Sequence, residues 1–255
     1  MIRFEDYQDR FKYIRLERHD GILEVTFHRD GGQAVWEATE GGIHDEFGQA
    51  CYCIGRDPET KVMILTHAGD CPFEKVAASG ERVTPEFWDR MLKEGKDLLA
   101  NLLEIDVPII AAVSGNTFFH AELFVLSDIV IAGEDTRFAD KAHTCVGVPP
   151  ADGVHVVWPM LLGPNRGRHF LLTGAEIDAN EAQRLGVVAE VLPKHQVLER
   201  AREVARELAQ KPRLTLRYSR LALTQDIKRR LLNDLGYGLA LEGLGVFGLT
   251  NSKRE

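Results

Sequence analysis

Two histidines, a cysteine and two aspartates crowd the segment "FADKAHTCVGVPPADGVHVVWP", residues 138–159. His143, Cys145, Asp152 and His155 fall within thirteen positions of a stretch otherwise built from turn and apolar residues. Three chemistries fit these types at this spacing. They could form a metal site, a histidine base with its orienting carboxylate, or polar groups satisfied inside a core.

The pair His143 and Asp152 lies either side of "VGVPP". Consecutive prolines cannot sit inside a helix, so the chain must turn there and can bring the two together. A carboxylate on one ring nitrogen would fix the imidazole tautomer and stabilise its cation, leaving the other nitrogen to deprotonate water. The bland alternative makes Asp152 the cap of a helix beginning "GVHVVWP" and His143 a loop residue. For metal, Cys145 and His155 would have to join them, because zinc needs three or four convergent ligands. No HExxH or paired CxxC occurs, and the prolines interrupt any regular face, so no metal is expected. Ser114 and Ser127 lack the GxSxG setting of an activated serine.

The elements that must position these residues alternate between strand and helix. "YIRLERH" (13–19) and "ILEVTFH" (22–28) flank "DG" and predict a hairpin. "GIHDEFGQACYCIGRD" has helical spacing. "KVMILTH" (61–67), "VPIIAAVSG" (107–115) and "DIVIAG" (128–133) are short apolar runs suited to buried strands. "TPEFWDRMLKEGKDLLANLLEID" (84–106) opens with a threonine cap and a proline and keeps apolar residues three and four apart. Such alternation implies an α/β fold with a largely parallel sheet. From about residue 195 the pattern turns helical, in "HQVLERAREVARELAQK", "RLTLRYSRLALTQD" and "IKRRLLNDLGYGLALEGLGVFG". The expected organisation is an α/β core over 1–194 and a helical region over 195–255.

Composition limits the function classes. The 255 residues are 44% hydrophobic and 27% charged, which suits a globular protein with a sizeable core. With a net charge of -8 and no basic face, nucleic acid is not an expected partner. No 18-residue apolar run or signal-peptide pattern occurs, so no membrane association and a cytoplasmic location are expected. Cys51, Cys53, Cys71 and Cys145 have neither zinc nor disulfide-scaffold spacing and are expected to be reduced thiols.

The blocks "VPIIAAVSGNTFFHAELFVLSDIVIAGEDTRFAD" and "LLGPNRGRHFLLTGAEIDANEAQRLGVVAEVLP" resemble the crotonase (enoyl-CoA hydratase/isomerase) superfamily. The resemblance runs from about residue 13 to 250. It implies a spiral of ββα repeats followed by helices that mediate trimerisation, commonly as dimers of trimers. Typical members carry an "AGAD"-like turn and a "GGG" before "EL", whose backbone N–H groups form an oxyanion hole for a CoA thioester. Here those places read "HAGDCPFEK" and "FFHAEL", with Phe119 and His120 where glycines would allow close backbone approach. The second catalytic glutamate of the family is replaced by "KAH", while Glu122 remains at the first one's place.

Within the superfamily the sequence is most similar to the 6-oxocamphor hydrolase type, which cleaves β-diketones by a retro-Claisen reaction without CoA. That likeness implies catalytic roles for His143, Asp152, His120 and Glu242, and substrate contacts from Trp36, His44 and Phe119. It implies no cofactor, a small diketone substrate, and a homotrimer or dimer of trimers. Two other classes remain open: CoA-ester chemistry with Glu122 as the acid–base group, and a non-catalytic oligomeric binding protein.

Overall fold

A computed structural model describes residues 2–77 and 83–252. The N-terminal hairpin pairs β1 (Ile14–His19) with β2 (Ile22–Phe27). Asp20 and Gly21 turn it, both with positive φ (52° and 80°), the backbone that a two-residue hairpin turn needs and that glycine adopts freely. The chain continues through β3 (Ala34–Glu37), α1 (Ile43–Ile54), β4 (Val62–His67) and β5 (Phe73–Ala77). Helix α2 (Pro85–Glu104) starts as expected, with the Thr84 hydroxyl accepting from the Phe87 N–H and Pro85 in the first turn.

Strands β6 (Ile109–Val113), β7 (Asn116–Thr117), β8 (Ile129–Gly133) and β9 (Arg137–Phe138) follow, with the short helix α3 (Glu122–Val125) between β7 and β8. Helices α4 (Val154–Leu162) and α5 (Pro164–Thr173) lead to β10 (Ile177–Asp178), α6 (Ala179–Arg184) and β11 (Glu190–Leu192). Helices α7 (Val197–Ala209) and α8 (Arg213–Ser252) end the chain. Lys211 and Pro212 separate them as the sequence predicts. The two amphipathic segments beyond Pro212 form one continuous helix.

The main sheet has six strands in the order β1-β2-β4-β6-β8-β11, antiparallel only at the hairpin. Its apolar runs face two ways. Met63, Leu65, Ile109, Ala111 and Val113 enter the main core, whereas Val62, Ile64, Ile110, Ala112 and Ile131 pack against Val197, Ala201 and Ala205 of α7. Burial on both faces is why these strands read as continuous runs rather than alternating ones. A three-stranded sheet (β10-β9-β7) and a two-stranded one (β3-β5) form the smaller layer, from pieces of two to five residues. The result is the α/β crotonase architecture with a helical C-terminal region.

Helix α8 is tied to the sheet by one buried charge. Arg220 Nε donates to Asp128 Oδ2 at 2.7 Å, and its Nη1 donates to the Ile105 carbonyl. The same Asp128 oxygen accepts the Ile109 N–H at 2.7 Å, so one carboxylate fixes both a strand start and the helix. Further along, Leu231, Leu235 and Leu239 complete the main core. Removing one partner of a buried ion pair leaves the other uncompensated. Arg220→Ala is therefore expected to lower unfolding free energy by about 3–5 kcal/mol, measured by denaturant or thermal unfolding.

Candidate active site

The site residues arrive from six separate parts of the chain. Strand β3 presents Trp36, and the first turn of α1 presents His44. His120 stands in the turn before α3, His143 in the loop after β9, and Glu242 on α8. Asp152 lies just before α4. It does not cap that helix: Gly153 holds the cap position, with no side-chain cap bond. His120 and Asp152 both have left-handed backbones, with φ of 50° and 49°. His120 thus keeps a conformation natural to glycine while adding an imidazole.

Trp36 and His120 stack, with ring centroids 4.0 Å apart and planes 24° apart, and His44 meets the indole edge-on at 5.6 Å. His120 Nδ1 lies 2.9 Å from Glu122 Oε1, so its Nε2 is the nitrogen left for a ligand. Across from it, at a centroid distance of 6.5 Å, is the ring of His143. His143 Nδ1 donates to Asp140 Oδ1 at 2.8 Å. Its Nε2 faces Asp152 Oδ2 at 3.8 Å and Glu242 Oε1 at 3.9 Å. Asp140 therefore orients the imidazole, the role expected of Asp152. Asp152 instead faces the other ring nitrogen.

Charge is divided unequally among these groups. Burial opposes a cation on His143, but its hydrogen bond to Asp140 and the facing Asp152 and Glu242 carboxyls outweigh burial, holding its pKa well above the usual 6.5. Burial would likewise raise Asp152, yet His143, with His120 and His44 nearby, holds it below the ordinary carboxylate range. Glu242 is raised well above its usual value, first by burial and then by repulsion from Asp152. The arrangement thus favours a charged His143, an ionised Asp152 and a protonated Glu242. Glu242 Oε2 is buried and has no hydrogen-bond partner among the described residues.

These groups line a cavity of about 220 Å³ together with Ala38, Val76, Phe87, Trp88, Met91 and Leu239. The remaining walls are apolar. Its volume falls below the ~300–1,000 Å³ of sites for drug-sized ligands, which suits a small molecule. His143, Asp152 and Glu242 offer three atoms within 4.8 Å of one another, which raises the question of a metal. Ligands ~2.0–2.1 Å from a tetrahedral zinc stand about 3.4 Å apart. The observed 3.8 and 3.9 Å are wider and suit a water held at about 2.8 Å from each atom. The other members of the metal alternative lie elsewhere. Cys145 is exposed, its Sγ directed to the Asp140 carbonyl at 3.7 Å, and His155 Nε2 meets the Asp234 carbonyl of α8 at 3.2 Å.

Of the sequence-derived residues, His143, Asp152, His120, Glu242, Trp36 and His44 meet at this cavity. Phe119 does not. It is half-buried against the main core and is absent from the lining, a correction to its expected substrate contact. Asp140 escaped sequence reading, although "DKAH" places a carboxylate three residues before His143, a spacing that one tight turn closes. The wall of Phe87, Trp88 and Met91 was hidden because apolar positions on α2 look alike whether they face core or cavity.

The chain belongs to the enoyl-CoA hydratase/isomerase family, whose sequence profile matches residues 17–240. A β-diketone hydrolase from the cyanobacterium Anabaena sp. PCC 7120, solved bound to (S)-3-oxocyclohexyl acetic acid, is 44% identical with a TM-score of 0.91, covering 96% of this chain and 98% of that one. An enoyl-CoA hydratase/isomerase from Mycobacterium paratuberculosis shares the fold at 22% identity and a TM-score of 0.83, over 93% and 94% of the two chains. Carnitinyl-CoA dehydratase from Salmonella arizonae is 33% identical over 77% of this chain and 74% of its own.

The contacts of His143 make a titration prediction. Carboxylates hold its pKa above 6.5, so the ring stays protonated as pH rises through 6.5. Asp140→Asn removes one of those carboxylates. The expected result is deprotonation of His143 at lower pH than in the unsubstituted protein, read from its ring resonances by NMR.

Proposed function

We propose that the protein is a cofactor-independent hydrolase that cleaves a carbon–carbon bond of a small cyclic β-diketone by a retro-Claisen reaction. The observation that carries this reading is the His143–Asp152–Glu242 triangle facing His120 across a small apolar cavity. The similar Anabaena hydrolase supports it, since its bound keto acid is what hydrolytic opening of a bicyclic 1,3-diketone would yield.

The division of charge assigns the steps. Water held by the triangle adds to one carbonyl carbon and gives its proton to Asp152, the anionic member. The His143 cation stabilises the attacking oxygen and the oxyanion that forms. This reverses the division of labour expected from sequence, in which His143 was the base. Collapse of the adduct breaks the bond to the carbon between the carbonyls, leaving a carboxylic acid and an enolate. The enolate oxygen lies against His120, whose Nδ1 is engaged by Glu122, with Trp36 stacked behind the ring. Glu242, neutral by burial, protonates the enolate carbon and regains a proton from Asp152.

CoA-ester chemistry, suggested by the likeness to carnitinyl-CoA dehydratase, would use Glu122 as acid–base group. Glu122 is buried and turned to His120, not into the main cavity. Exposed Tyr218, Leu223, Tyr237 and Leu244 on α8 support assembly as a homotrimer or dimer of trimers. Among the described residues no helix is long and apolar enough to cross a membrane.

The test is cleavage of the bicyclic 1,3-diketone whose opening gives 3-oxocyclohexyl acetic acid. His143→Ala and Asp152→Asn should each lower kcat by about 10²–10⁴-fold, the usual contribution of a positioned acid–base group. In D2O an early-quenched product should carry one deuterium on the carbon that lay between the carbonyls, mostly on one face. Label from heavy-oxygen water should enter the carboxylate. Unlabelled carbon would rule out the enolate, and efficient turnover of crotonyl-CoA would favour the Glu122 chemistry.

A second prediction separates this route from metal catalysis. Dialysis against a chelator should leave diketone cleavage unchanged. Loss of activity restored by one added divalent metal would instead make His143, Asp152 and Glu242 its ligands.

A further inference from the structure

The proposed reaction has a charge balance that its own residues do not complete. A neutral diketone and water become a keto acid, which at neutral pH is a carboxylate and a proton. One water proton reaches the enolate carbon through Asp152 and Glu242. The other remains on the new carboxyl group. Each turnover therefore leaves one proton in the site, beside the three acid–base groups that the cavity already holds.

Asp152 also borders a second cavity of about 10 Å³, lined by Trp36, His44, His120, Glu122 and Asp152 with apolar residues of α2 and α3. That volume admits about one water, and the polar side chains around it suffice to hold one. His44 lines both this pocket and the main cavity. Its ring Nδ1 lies 3.3 Å from Glu94 Oε2 on α2. Glu94 in turn lines an open cleft of about 320 Å³ between α1 and α2, whose polar walls are Arg10, Asp45, Gln49, Asp97 and Asn101. Arg90, one turn before Glu94, approaches its other oxygen at 3.6 Å. Polar groups thus run in sequence from Asp152 to the open cleft between α1 and α2.

We propose that His44 and Glu94 form a proton exit, carrying the proton released in each turnover from Asp152 through one internal water to the cleft between α1 and α2. This rests on the diketone-hydrolase reading. The new carboxyl group loses its proton to Asp152, and Asp152 passes it to the internal water. That water delivers a proton to His44 Nε2, and His44 Nδ1–H passes one to Glu94. Glu94 releases it to solvent, and the ring resets by turning over about its Cβ–Cγ bond, which brings the N–H back to Glu94 and the bare nitrogen back to the internal water. No bond other than O–H and N–H changes, and no further reactant is needed. Glu94 is a relay and positioning group, since it touches neither substrate nor reacting atoms.

The experiment compares Glu94→Gln and Glu94→Asp with the unsubstituted protein in weak buffer. Stopped flow follows diketone absorbance and, with a pH indicator, the released proton. Glutamine preserves the shape and a hydrogen bond to His44 but carries no proton. The expected result is first-turnover cleavage at the unsubstituted rate, with proton release delayed and steady-state kcat reduced ~10-fold or more. Added imidazole should restore kcat, and Glu94→Asp should retain most of it. Unchanged kcat with synchronous proton release in Glu94→Gln would overturn the relay. So would a parallel fall in first-turnover cleavage without imidazole rescue, which marks a structural role. If the unsubstituted protein leaves the diketone intact, the hydrolase reading fails and the relay loses its proton source. If it cleaves and only the glutamine comparison fails, the relay alone is wrong.

Discussion

A buried imidazolium needs counter-charge, and the placement of His143 governs much of the remaining architecture. Its two nitrogens face carboxyl groups from three parts of the chain: Asp140 after β9, Asp152 before α4, and Glu242 on α8. A charge removed from water is tolerated only with such partners. The long terminal helix must therefore lie close against the core. Gly243 permits that approach, since a Cβ there would meet the Trp88 indole nitrogen at 2.3 Å. The Trp88 Nε1–H donates to the Leu239 carbonyl at 3.0 Å, one turn before Glu242, which fixes the helix over the cavity. At the other end of α8, Arg220 performs the same service through Asp128.

His120 brings a side chain to the turn where the family resemblance places backbone donors. At the position where the family resemblance places a glycine, this chain has a left-handed turn that carries a ring. Trp36 supports one face of that ring and Glu122 holds one nitrogen. Glu122, at the place of a family acid–base residue, thereby becomes a buried partner of His120.

Much of this was legible in the sequence, for identifiable reasons. The hairpin, the long α2 and the buried strands carry strong local signals: a DG turn, a threonine–proline start, and apolar runs bounded by turns. The smaller layer was not legible, because strands such as Asn116–Thr117 and Arg137–Phe138 are too short to show a period. The pair His143 and Asp152 showed in the spacing around Pro149 and Pro150 and was strengthened by family resemblance, while His120, Trp36, His44 and Glu242 were legible through resemblance alone. What resemblance could not supply was direction. Only the fold reveals that Asp140 takes Nδ1, that Asp152 faces Nε2, and that Phe119 turns into the core. Glu94 was invisible for a related reason. A glutamate on an amphipathic helix reads as solvated, and nothing local marks the histidine fifty residues earlier that it meets.

Strain is concentrated where the chemistry is assigned. Four described residues other than glycine have positive φ. Asp20 and Asp30 lie in exposed turns, while His120 and Asp152 line the cavity. A left-handed backbone costs a residue with a Cβ roughly 1–2 kcal/mol. Neither His120 nor Asp152 recovers that cost by capping a helix. Both conformations persist because their surroundings over-determine them, His120 by stacking and its bond to Glu122, Asp152 by the facing imidazolium. The same contacts that hold these backbones also set the charge state of the site. Backbone geometry and protonation are therefore one constraint here: neutralising His143 would loosen the attraction that keeps Asp152 in place, and moving Asp152 would leave His143 with less reason to be charged.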